Sequence, residues 1–319
     1  MILVTGATGL IGRHLINRLM ADGHPLRVLL DESKRKRIFW DEDDPAAPQV
    51  IAGTLMDEEA LYRAVSGVYL IIHLENAMWW GRQRDLERVE IVGTRNLIAA
   101  ARSARVGRIL TLSHLGASPS SAFTLLRLKG QLEALIRDSG LAYTIIRPGV
   151  VFAADDVFIN HIAMSLSVNP FFCLLPGIGE VVLHPVYIDD LIEAICRCLD
   201  DIRTVDETIE IGGLEYITLA DLLQTVMRLT GMPRFVISVP PYLLRLFVRI
   251  QNLIFRRTLI TQQWLDYVAA SRTAPLNSMY HIFGIHPRRF EDTLLTYLPQ
   301  KRLFWSALRH AVRRRPRSI

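Results

Sequence analysis

Three glycines near the start of the chain are the residues whose type and spacing best suit ligand binding. Gly6, Gly9 and Gly12 follow an apolar run and overlap the start of an amphipathic stretch. Glycine adopts turn dihedrals freely and lets backbone N–H groups approach a pyrophosphate, while a helix N-terminus adds the positive end of its dipole. The loop therefore predicts a dinucleotide-binding turn, with a tight turn that holds no ligand as the alternative. Its candidate cofactor-binding residues are Gly6, Thr8, Gly9, Leu10, Ile11 and Gly12.

A carboxylate at the end of the second apolar run bears on the choice of dinucleotide. Asp31 follows Leu26–Leu30, roughly 20 residues after the last glycine of the loop. There it can accept hydrogen bonds from the adenosine ribose hydroxyls and repel a 2′-phosphate, which favours NAD over NADP. The basic run Lys34–Arg37 comes next and is open to two interpretations, a phosphate ligand or a solvated loop or helix face. The predicted cofactor is NAD or NADP, with NAD preferred.

Strand-like and helix-like segments alternate through the first half of the chain, and they must position these residues. Strands that alternate with helices imply right-handed βαβ units and a parallel sheet with helices on both faces. The sequence therefore predicts an α/β fold, a Rossmann-type doubly wound parallel sheet with a smaller C-terminal lobe. The strand candidates are Met1–Val4, Leu26–Leu30, Val50–Ala52, Leu70–Leu74, Ile109–Ser113 and Tyr143–Arg147, and the helix candidates are Leu10–Met20, 57–66, 85–105 and 125–139.

The same pattern predicts how the chain divides. Residues 1–150 form the dinucleotide-binding core, completed by about 186–213 with a helix over Asp189–Leu199 and a strand over Thr208–Gly213. The smaller lobe, for substrate or docking, comprises 151–185 and 214–300, and 301–319 is a basic amphipathic tail.

Several motifs in this order resemble the extended and atypical short-chain dehydrogenase/reductase superfamily, of the NAD-dependent epimerase/dehydratase type. The sequence around Ser113 looks most similar to bacterial relatives of the dinucleotide-binding accessory subunit of respiratory complex I. The resemblance implies that Thr54, Leu55, Leu74 and Pro148 line the cofactor, although the family more often has Asp at position 54 and small residues where Glu75–Ala77 stands. The matching pieces are Thr5–Gly12, Gly53–Asp57, Val68–Leu74, Ser113, Lys129, Arg147–Gly149 and Pro185–Asp190.

The catalytic residues that the resemblance implies are incomplete. The superfamily uses Ser, Tyr and Lys, with Tyr and Lys four residues apart on one helical face. The lysine lowers the pKa of the tyrosine by its charge and binds the nicotinamide ribose, so Lys129 is also a candidate cofactor-binding residue. Ser113 and Lys129 match, but Leu125 occupies the tyrosine position and carries no proton. Other candidate proton donors are His114, Tyr143 and Tyr187, although a loop or packing role is more usual for each.

Two functions follow. The first is an oxidoreductase or epimerase-like enzyme acting on a small, unidentified substrate. The second is a catalytically reduced NAD(P)-binding structural or assembly subunit of a membrane-associated complex, which Leu125 favours. No metal site is expected, because the sequence lacks a His-Glu-x-x-His arrangement and Cys196 and Cys198 point to different sides of a helix.

The charge of the chain is concentrated at one end. The formal net charge is +5 and the isoelectric point about 9.3, but residues 242–319 contain 14 basic and 3 acidic residues, net +11, which leaves −6 for 1–241. The segments 242–257 and 301–319 combine arginines with apolar stripes. This pattern suits binding to an anionic membrane surface or to a subunit of a membrane complex. The alternative is a helix that packs on the smaller lobe and exposes its arginines to solvent. Nucleic acid is not expected, since no base-reading motif accompanies them. Three cysteines favour a reducing compartment, so the predicted location is cytoplasmic, possibly peripheral on the inner face of the membrane.

Overall fold

The computed structural model of the chain describes residues 1–76, 83–254, 258–299 and 303–312. Its strands are β1 (Ile2–Thr5), β2 (Leu26–Leu30), β3 (Gln49–Ala52), β4 (Leu70–His73), β5 (Arg108–Leu112), β6 (Ala142–Pro148), β7 (Val150–Phe152), β8 (Phe172–Pro176), β9 (Val182–Leu183), β10 (Pro185–Tyr187), β11 (Glu207–Ile211), β12 (Ile217–Thr218) and β13 (Phe235–Val239). Its α-helices are α1 (Leu10–Ala21), α2 (Glu58–Val65), α3 (Gln83–Glu87), α4 (Thr94–Ser103), α5 (Thr124–Arg137), α6 (Phe158–Val168), α7 (Ile188–Asp200), α8 (Leu219–Thr230), α9 (Pro241–Ile254), α10 (Gln262–Tyr267), α11 (Ser278–Phe283), α12 (Phe290–Leu295) and α13 (Leu303–Val312).

Seven strands form one sheet in the order β11-β6-β5-β4-β1-β2-β3. β1 lies inside it and pairs in parallel with β2 and β4, so that Val4 stands opposite Val28 and Ile72. The pairs β2–β3, β4–β5 and β5–β6 are parallel as well. This strand order is that of doubly wound nucleotide-binding folds, in which ligands bind at the carboxyl ends of the strands where the order reverses. The predicted fold class is confirmed.

Helices cover the sheet, which explains why its strands are continuous apolar runs. All four residues of β1 are buried, as expected of a parallel strand with helices on both faces. One core cluster joins Ile71 and Ile109 of the sheet to Leu61 in α2, Leu97 in α4 and Ile136 in α5. The packing of these apolar helix faces fixes the strand ends, and therefore the loops that follow them.

The helical region between β4 and β5 is not one regular α-helix. Its periodicity predicts a helix over 85–105, whereas the structure has α3, then a π-helical segment over Arg88–Gly93, then α4. A π-turn holds one more residue than an α-turn and changes the direction of the side chains around it. Glu90 lies in this segment and is 1% exposed. The segment thus carries a buried carboxylate inside the fold.

The chain separates into two compact units. Unit 1 comprises Met1–Pro148 and Leu191–Glu210, and unit 2 comprises Gly149–Asp190 and the chain from Ile211 onward. Unit 2 contains three two-stranded sheets, β10–β7, β12–β9 and β13–β8, together with helices that include α6, α8 and α9. None of the described helices combines the length and apolar character that crossing a bilayer requires.

Candidate dinucleotide site

The glycine loop joins β1 to α1 in a conformation that side chains would obstruct. Gly6 has a φ of +73°, and a Cβ built there would lie 2.6 Å from the backbone of Leu74 and Glu75. A Cβ on Gly12 would lie 2.3 Å from the carbonyl oxygen of Gly6. Both contacts are far shorter than real Cβ atoms make, so the close approach of loop, helix and neighbouring strand end requires glycine at these two positions.

The N-terminus of α1 is open to an anion. Gly9 is the N-cap residue and supplies no side chain, and the first turn of the helix has no acidic residue. The N–H groups of a first helical turn have no intrahelical acceptor, and the helix dipole adds positive potential there. Gly9 is exposed, whereas Thr8, Leu10 and Ile11 are half-buried. The loop therefore has the geometry of a pyrophosphate cradle.

A cleft lies beside this loop. It is open to solvent, and the empty space within it, open solvent included, is about 400 Å³. The predicted residues Asp31, Thr54 and Leu55 all lie on its wall. The full lining is Thr5, Leu29, Asp31, Lys34, Gly53, Thr54, Leu55, Met56, Glu75, Arg88 and Val89.

Local backbone contacts hold the adenosine-side candidates in place. One oxygen of Asp31 accepts a hydrogen bond from the backbone N–H of Ser33 at 2.7 Å and caps the 3-10 helix Glu32–Arg37. The Thr54 hydroxyl accepts from the N–H of Met56 at 3.1 Å. Each of these side chains is fixed by its own turn before any ligand binds.

Glu75 faces the cleft and pairs with a cation. Its Oε1 lies 2.7 Å from Nζ of Lys34, and both side chains are mostly buried. Its backbone N–H donates to Thr5 Oγ1 at 3.3 Å, which ties it to the end of β1. Arg88 also lines the cleft. The Lys34–Glu75 ion pair therefore places a carboxylate and its cation on the wall of the cleft.

α5 brings the expected catalytic positions onto one buried face. Leu125, Lys129 and Glu133 occupy consecutive turns, and all three are at least 92% buried. Ser113 follows β5, is 2% exposed and donates its backbone N–H to the carbonyl of Ile146 at 2.8 Å. Leu125 thus fills the tyrosine position with hydrocarbon.

Lys129 is held by a carboxylate that the sequence analysis missed. Its Nζ lies 2.8 Å from Oε2 of Glu90, and the two side chains are 4% and 1% exposed. A buried ion pair of this kind offsets the lysine charge, which the resemblance had implied would act on a tyrosine and a ribose. Nothing in the sequence distinguishes Glu90 as a site residue, because it lies inside an apolar helical pattern and the direction of its side chain depends on the π-turn.

A second buried polar group lies under the loop. His73, at the end of β4, contacts Thr5 Oγ1 through Nδ1 at 2.8 Å and Thr94 Oγ1 through Nε2 at 3.0 Å. Burial and, to a smaller extent, the charge of Lys129 lower the pKa of His73 to about 3. The imidazole is therefore neutral, and with its two hydroxyl partners it joins β1, β4 and α4.

Glu133 forms an ion network beneath Ser113. It accepts hydrogen bonds from Arg147 at 2.7 and 2.8 Å and from Arg137 at 2.8 Å. Burial raises the pKa of Glu133, but the hydrogen bonds from Arg147 and Arg137, with the Ser113 hydroxyl nearby, outweigh it and lower the pKa overall. Within the described residues the Ser113 hydroxyl makes no hydrogen bond of ordinary geometry, although it lies close enough to Glu133 to affect that pKa.

The remaining candidates lie at strand ends or outside the cleft. Leu74 follows β4 and donates its N–H to the Thr5 carbonyl at 3.1 Å, and Pro148 ends β6. Tyr143 lies in β6, and Tyr187 belongs to unit 2, where the Arg288 guanidinium lies 4.8 Å from its ring centroid. Burial raises the pKa of Tyr187 further above its usual value, which makes it a poor proton donor at neutral pH. Among the described residues no group of three or more His, Cys, Asp or Glu side chains could hold a metal ion.

Known proteins are similar to this chain in sequence. Residues 6–160 match the family model described as NAD(P)H-binding. The chain is 29% identical over 252 residues to the mitochondrial NADH dehydrogenase (ubiquinone) 1 alpha subcomplex subunit 9 of Mus musculus, a match that covers 77% of this chain and 64% of the mouse protein. It is 24% identical to photosystem II assembly factor Ycf39 of Guillardia theta, over 90% of this chain and 89% of that protein.

Solved structures agree with the fold. A short-chain dehydrogenase/reductase superfamily protein from Agrobacterium tumefaciens with bound NAD superposes with a TM-score of 0.69 at 19% identity, over 97% of each chain. The comparisons confirm the NAD(P)-binding type of fold and the resemblance to relatives of the complex I accessory subunit, and the likeness to short-chain dehydrogenase/reductase structures is one of fold.

Proposed function

We propose that this protein is a catalytically reduced NAD(P)-binding subunit or assembly factor of a membrane-associated complex. The observation that carries the proposal is the buried Glu90–Lys129 ion pair one helical turn from Leu125. The glycine loop and the cleft fit a dinucleotide, so binding is kept. The residues that would move a proton to or from a substrate are missing or neutralised.

The chemistry of the individual residues supports dinucleotide binding without catalysis. A bound nicotinamide supplies a hydride acceptor or donor, and the carbonyl partner then needs a proton. Leu125 has no proton to give, and Lys129 already shares its charge with Glu90. Gly6, Gly9 and Gly12 would hold the pyrophosphate, while Asp31, Thr54 and Leu55 would contact the adenosine.

One observation favours an active oxidoreductase or epimerase-like enzyme as the second candidate. The Ser113 hydroxyl is buried at the carboxyl end of β5, where the superfamily places its substrate-polarising serine, and it retains hydrogen-bonding capacity. Such an enzyme would need a proton donor at a position other than 125.

NAD is the proposed dinucleotide. Asp31 disfavours a 2′-phosphate by charge. Among the cations that line the cleft, Lys34 is the nearest to Asp31 in the sequence, but it is already paired with Glu75. A 2′-phosphate would therefore have to replace Glu75 as the partner of Lys34. The variant Glu75→Gln is expected to bind NADPH more tightly than the parent while its NADH affinity changes little, as measured by calorimetric titration.

The proposed location is the cytoplasmic side, peripheral on the inner face of a membrane. The mouse relative is named as a subunit of a mitochondrial NADH dehydrogenase and the Guillardia theta relative as a photosystem II assembly factor. Docking is assigned to 242–257 and 301–319, of which residues 255–257, 301–302 and 313–319 lie outside the described part of the chain.

A complementation experiment tests the role directly. Cells that lack the protein are supplied with the parent chain, Ser113→Ala, or Gly12→Ala, and the amount of assembled membrane complexes is measured on native gels. The proposal expects Ser113→Ala to restore assembly and Gly12→Ala to fail. Failure of Ser113→Ala, with the variant folded and present at the parent level, contradicts the proposal and supports the enzyme.

A further inference from the structure

Unit 2 exposes apolar side chains on a pair of parallel strands. β8 and β13 pair in parallel, with Phe235 opposite Phe172 and Ile237 opposite Leu174. Phe235 is 83% exposed and Phe171, just before β8, is 72% exposed. Val236 and Ile237 are both more than 40% exposed, although neighbouring strand residues point to opposite faces. Parallel sheets are normally covered on both faces, so this pair lacks the cover that such strands require.

Helix α9, which follows β13, also exposes apolar side chains. α9 begins at Pro241, two residues after β13 ends. Leu244 and Val248 form its buried side, whereas Leu243, Leu246, Phe247 and Ile250 are 43–53% exposed. These four positions follow helical spacing, so the solvent-facing stripe of α9 is hydrocarbon rather than polar. An exposed apolar surface of this kind marks an interaction site.

The charges within the segments that carry these residues have one sign, and the neighbouring Asp266 of α10 is paired with Arg245 at 2.8 Å. The two segments that build this surface, 157–179 and 232–265, contain no Asp or Glu and include five arginines. Arg249 is exposed on α9, while Arg234 is half-buried and donates to the carbonyls of Leu166 and Asn169. Apolar and aromatic side chains with arginine, and without carboxylates, match an anionic lipid interface, where phenyl rings enter the headgroup region and guanidinium groups meet phosphates.

We propose that unit 2 binds the surface of an anionic lipid bilayer directly through Phe171, Phe235, Ile237, Leu246, Phe247 and Ile250, with Arg249 contacting lipid phosphates. We call these six apolar residues the lipid-facing surface. The proposal rests on the membrane location in the proposed function, and it identifies the binding partner of this surface as lipid rather than protein. A protein partner with an apolar groove would gain nothing from excluding carboxylates over both segments, whereas an anionic bilayer repels them.

Vesicle flotation of the full-length protein tests this. The probes are vesicles of phosphatidylcholine alone and vesicles of equal parts phosphatidylcholine and phosphatidylglycerol. The parent chain is expected to float with the anionic vesicles and much less with the neutral ones. Phe171→Ser combined with Phe235→Ser is expected to weaken binding at least about ten-fold, since each ring loses its apolar contact with lipid. Arg249→Gln is expected to weaken it about five-fold, and only on anionic vesicles.

Matched controls lie in unit 1. Ile202→Ser removes an apolar side chain that is 83% exposed, and Arg63→Gln removes an exposed arginine of α2. Both should float like the parent. Equal flotation of the Phe171/Phe235 variant and the parent overturns the proposal, as does a parent chain that binds neither vesicle. A parent chain that binds only vesicles reconstituted with membrane protein also overturns it, in favour of a protein partner.

NADH binding is measured on the same samples to separate this inference from the proposed function. Intact NADH binding shows that unit 1 of a variant is folded. NADH binding without flotation overturns the lipid-facing surface alone. Flotation without NADH binding leaves the surface standing and contradicts the dinucleotide role.

Discussion

At the scale of single residues, two buried side chains define what the site can do. Nζ of Lys129 lies 2.8 Å from Glu90, with almost no access to solvent. Taking both charges out of water is costly, and their mutual attraction offsets that cost only while both are present. The pair is therefore expected to make Lys129 a structural cation, held away from a ligand.

Removing one partner of this pair is expected to destabilise the protein strongly. Lys129→Met should lower the free energy of unfolding by about 3–5 kcal/mol, since it removes the cation that offsets the charge of the buried Glu90 carboxylate. The double variant Glu90→Leu with Lys129→Met should recover most of that loss. The measurement is urea unfolding, with Glu42→Gln as control: Arg35–Glu42 is also an ion pair, at 3.0 Å, but about half exposed. A loss no larger than the control's, about 0–1 kcal/mol, contradicts the structural role.

His73 gives stability an acid-sensitive component. The folded protein keeps the imidazole neutral down to a pKa of about 3, whereas the unfolded chain takes up a proton near 6.5. Because the pKa of His73 is lower in the folded state, the stability that the neutral imidazole contributes is fully present above pH 6.5. It is lost as pH falls from 6.5 toward 3. Between pH 7 and 5 the loss is about 2 kcal/mol.

The variant His73→Gln isolates this effect from the titration of carboxylates. Unfolding by urea at pH 7 and pH 5 is compared for parent and variant. The parent is expected to lose about 2 kcal/mol more than the variant over this interval. Equal losses would show that His73 is not neutral and buried in the folded state.

A site residue could be identified from the sequence where its type and its spacing from other residues were sufficient evidence. The glycines, Asp31, Ser113, Lys129 and the missing tyrosine are visible as letters at fixed spacing. Glu90 and His73 are not, because an acidic residue in an apolar helix and a histidine in a strand have many common roles. Only the packing that buries them together identifies their partners.

At the scale of elements, the π-helical segment supports the cleft wall. Gly93 ends it, and a Cβ there would lie 2.8 Å from Cδ1 and 3.0 Å from Cβ of Leu55, a side chain that lines the cleft. The helix and the loop after β3 therefore meet at a point where only glycine fits without displacement.

A methyl group at this contact is expected to deform the cleft. Gly93→Ala should push Leu55 toward the cleft and weaken NADH binding, with an overpacking cost of about 1–3 kcal/mol in stability. Calorimetric titration and urea unfolding measure the two effects. The control is Gly140→Ala, where a Cβ has open space and only the φ of +74° is unfavourable. Parent-like NADH affinity in Gly93→Ala would mean that Leu55 does not contact the ligand.

Most elements could be predicted because the signals are local. The strand Leu26–Leu30 has the predicted bounds, since a parallel strand with both faces covered is a continuous apolar run. The helix predicted over 85–105 is interrupted by the π-turn, because the average periodicity of a long segment does not register one added residue.

At the scale of the whole molecule, charge is divided along the chain. Residues 242–319 carry a net +11 and the rest a net −6. Such a distribution directs the basic region toward an anionic surface, and the attraction weakens as salt screens it.

The basic end of the tail is expected to contribute to membrane association in cells. Replacing Arg313, Arg314, Arg315 and Arg317 with Gln leaves α13 in place and removes four charges, each worth roughly 1 kcal/mol near an anionic bilayer. Cell fractionation should show a smaller membrane-bound share of this variant, and added salt should reduce the parent's share. Unchanged fractionation would remove the tail from the docking region.

The fold class could be predicted from the alternation of strands and helices, and the basic C-terminal region from composition. The exposed β8–β13 pair could not, because Phe171–Leu175 reads equally well as core. Whether an apolar run is covered depends on which other segments pack against it, and that is a property of the whole molecule.

The central claim is that the glycine loop holds a dinucleotide. Calorimetric titration of the full-length protein with NADH measures it directly, with Gly12→Ala as the test variant and Gly23→Ala as the control, since a Cβ at Gly23 meets open space. The account predicts one NADH per chain for the parent and Gly23→Ala, and at least about a ten-fold weaker affinity for Gly12→Ala, because an added Cβ forces α1 away from the loop. Absence of NADH binding by the parent, or parent-like affinity in Gly12→Ala, would contradict it.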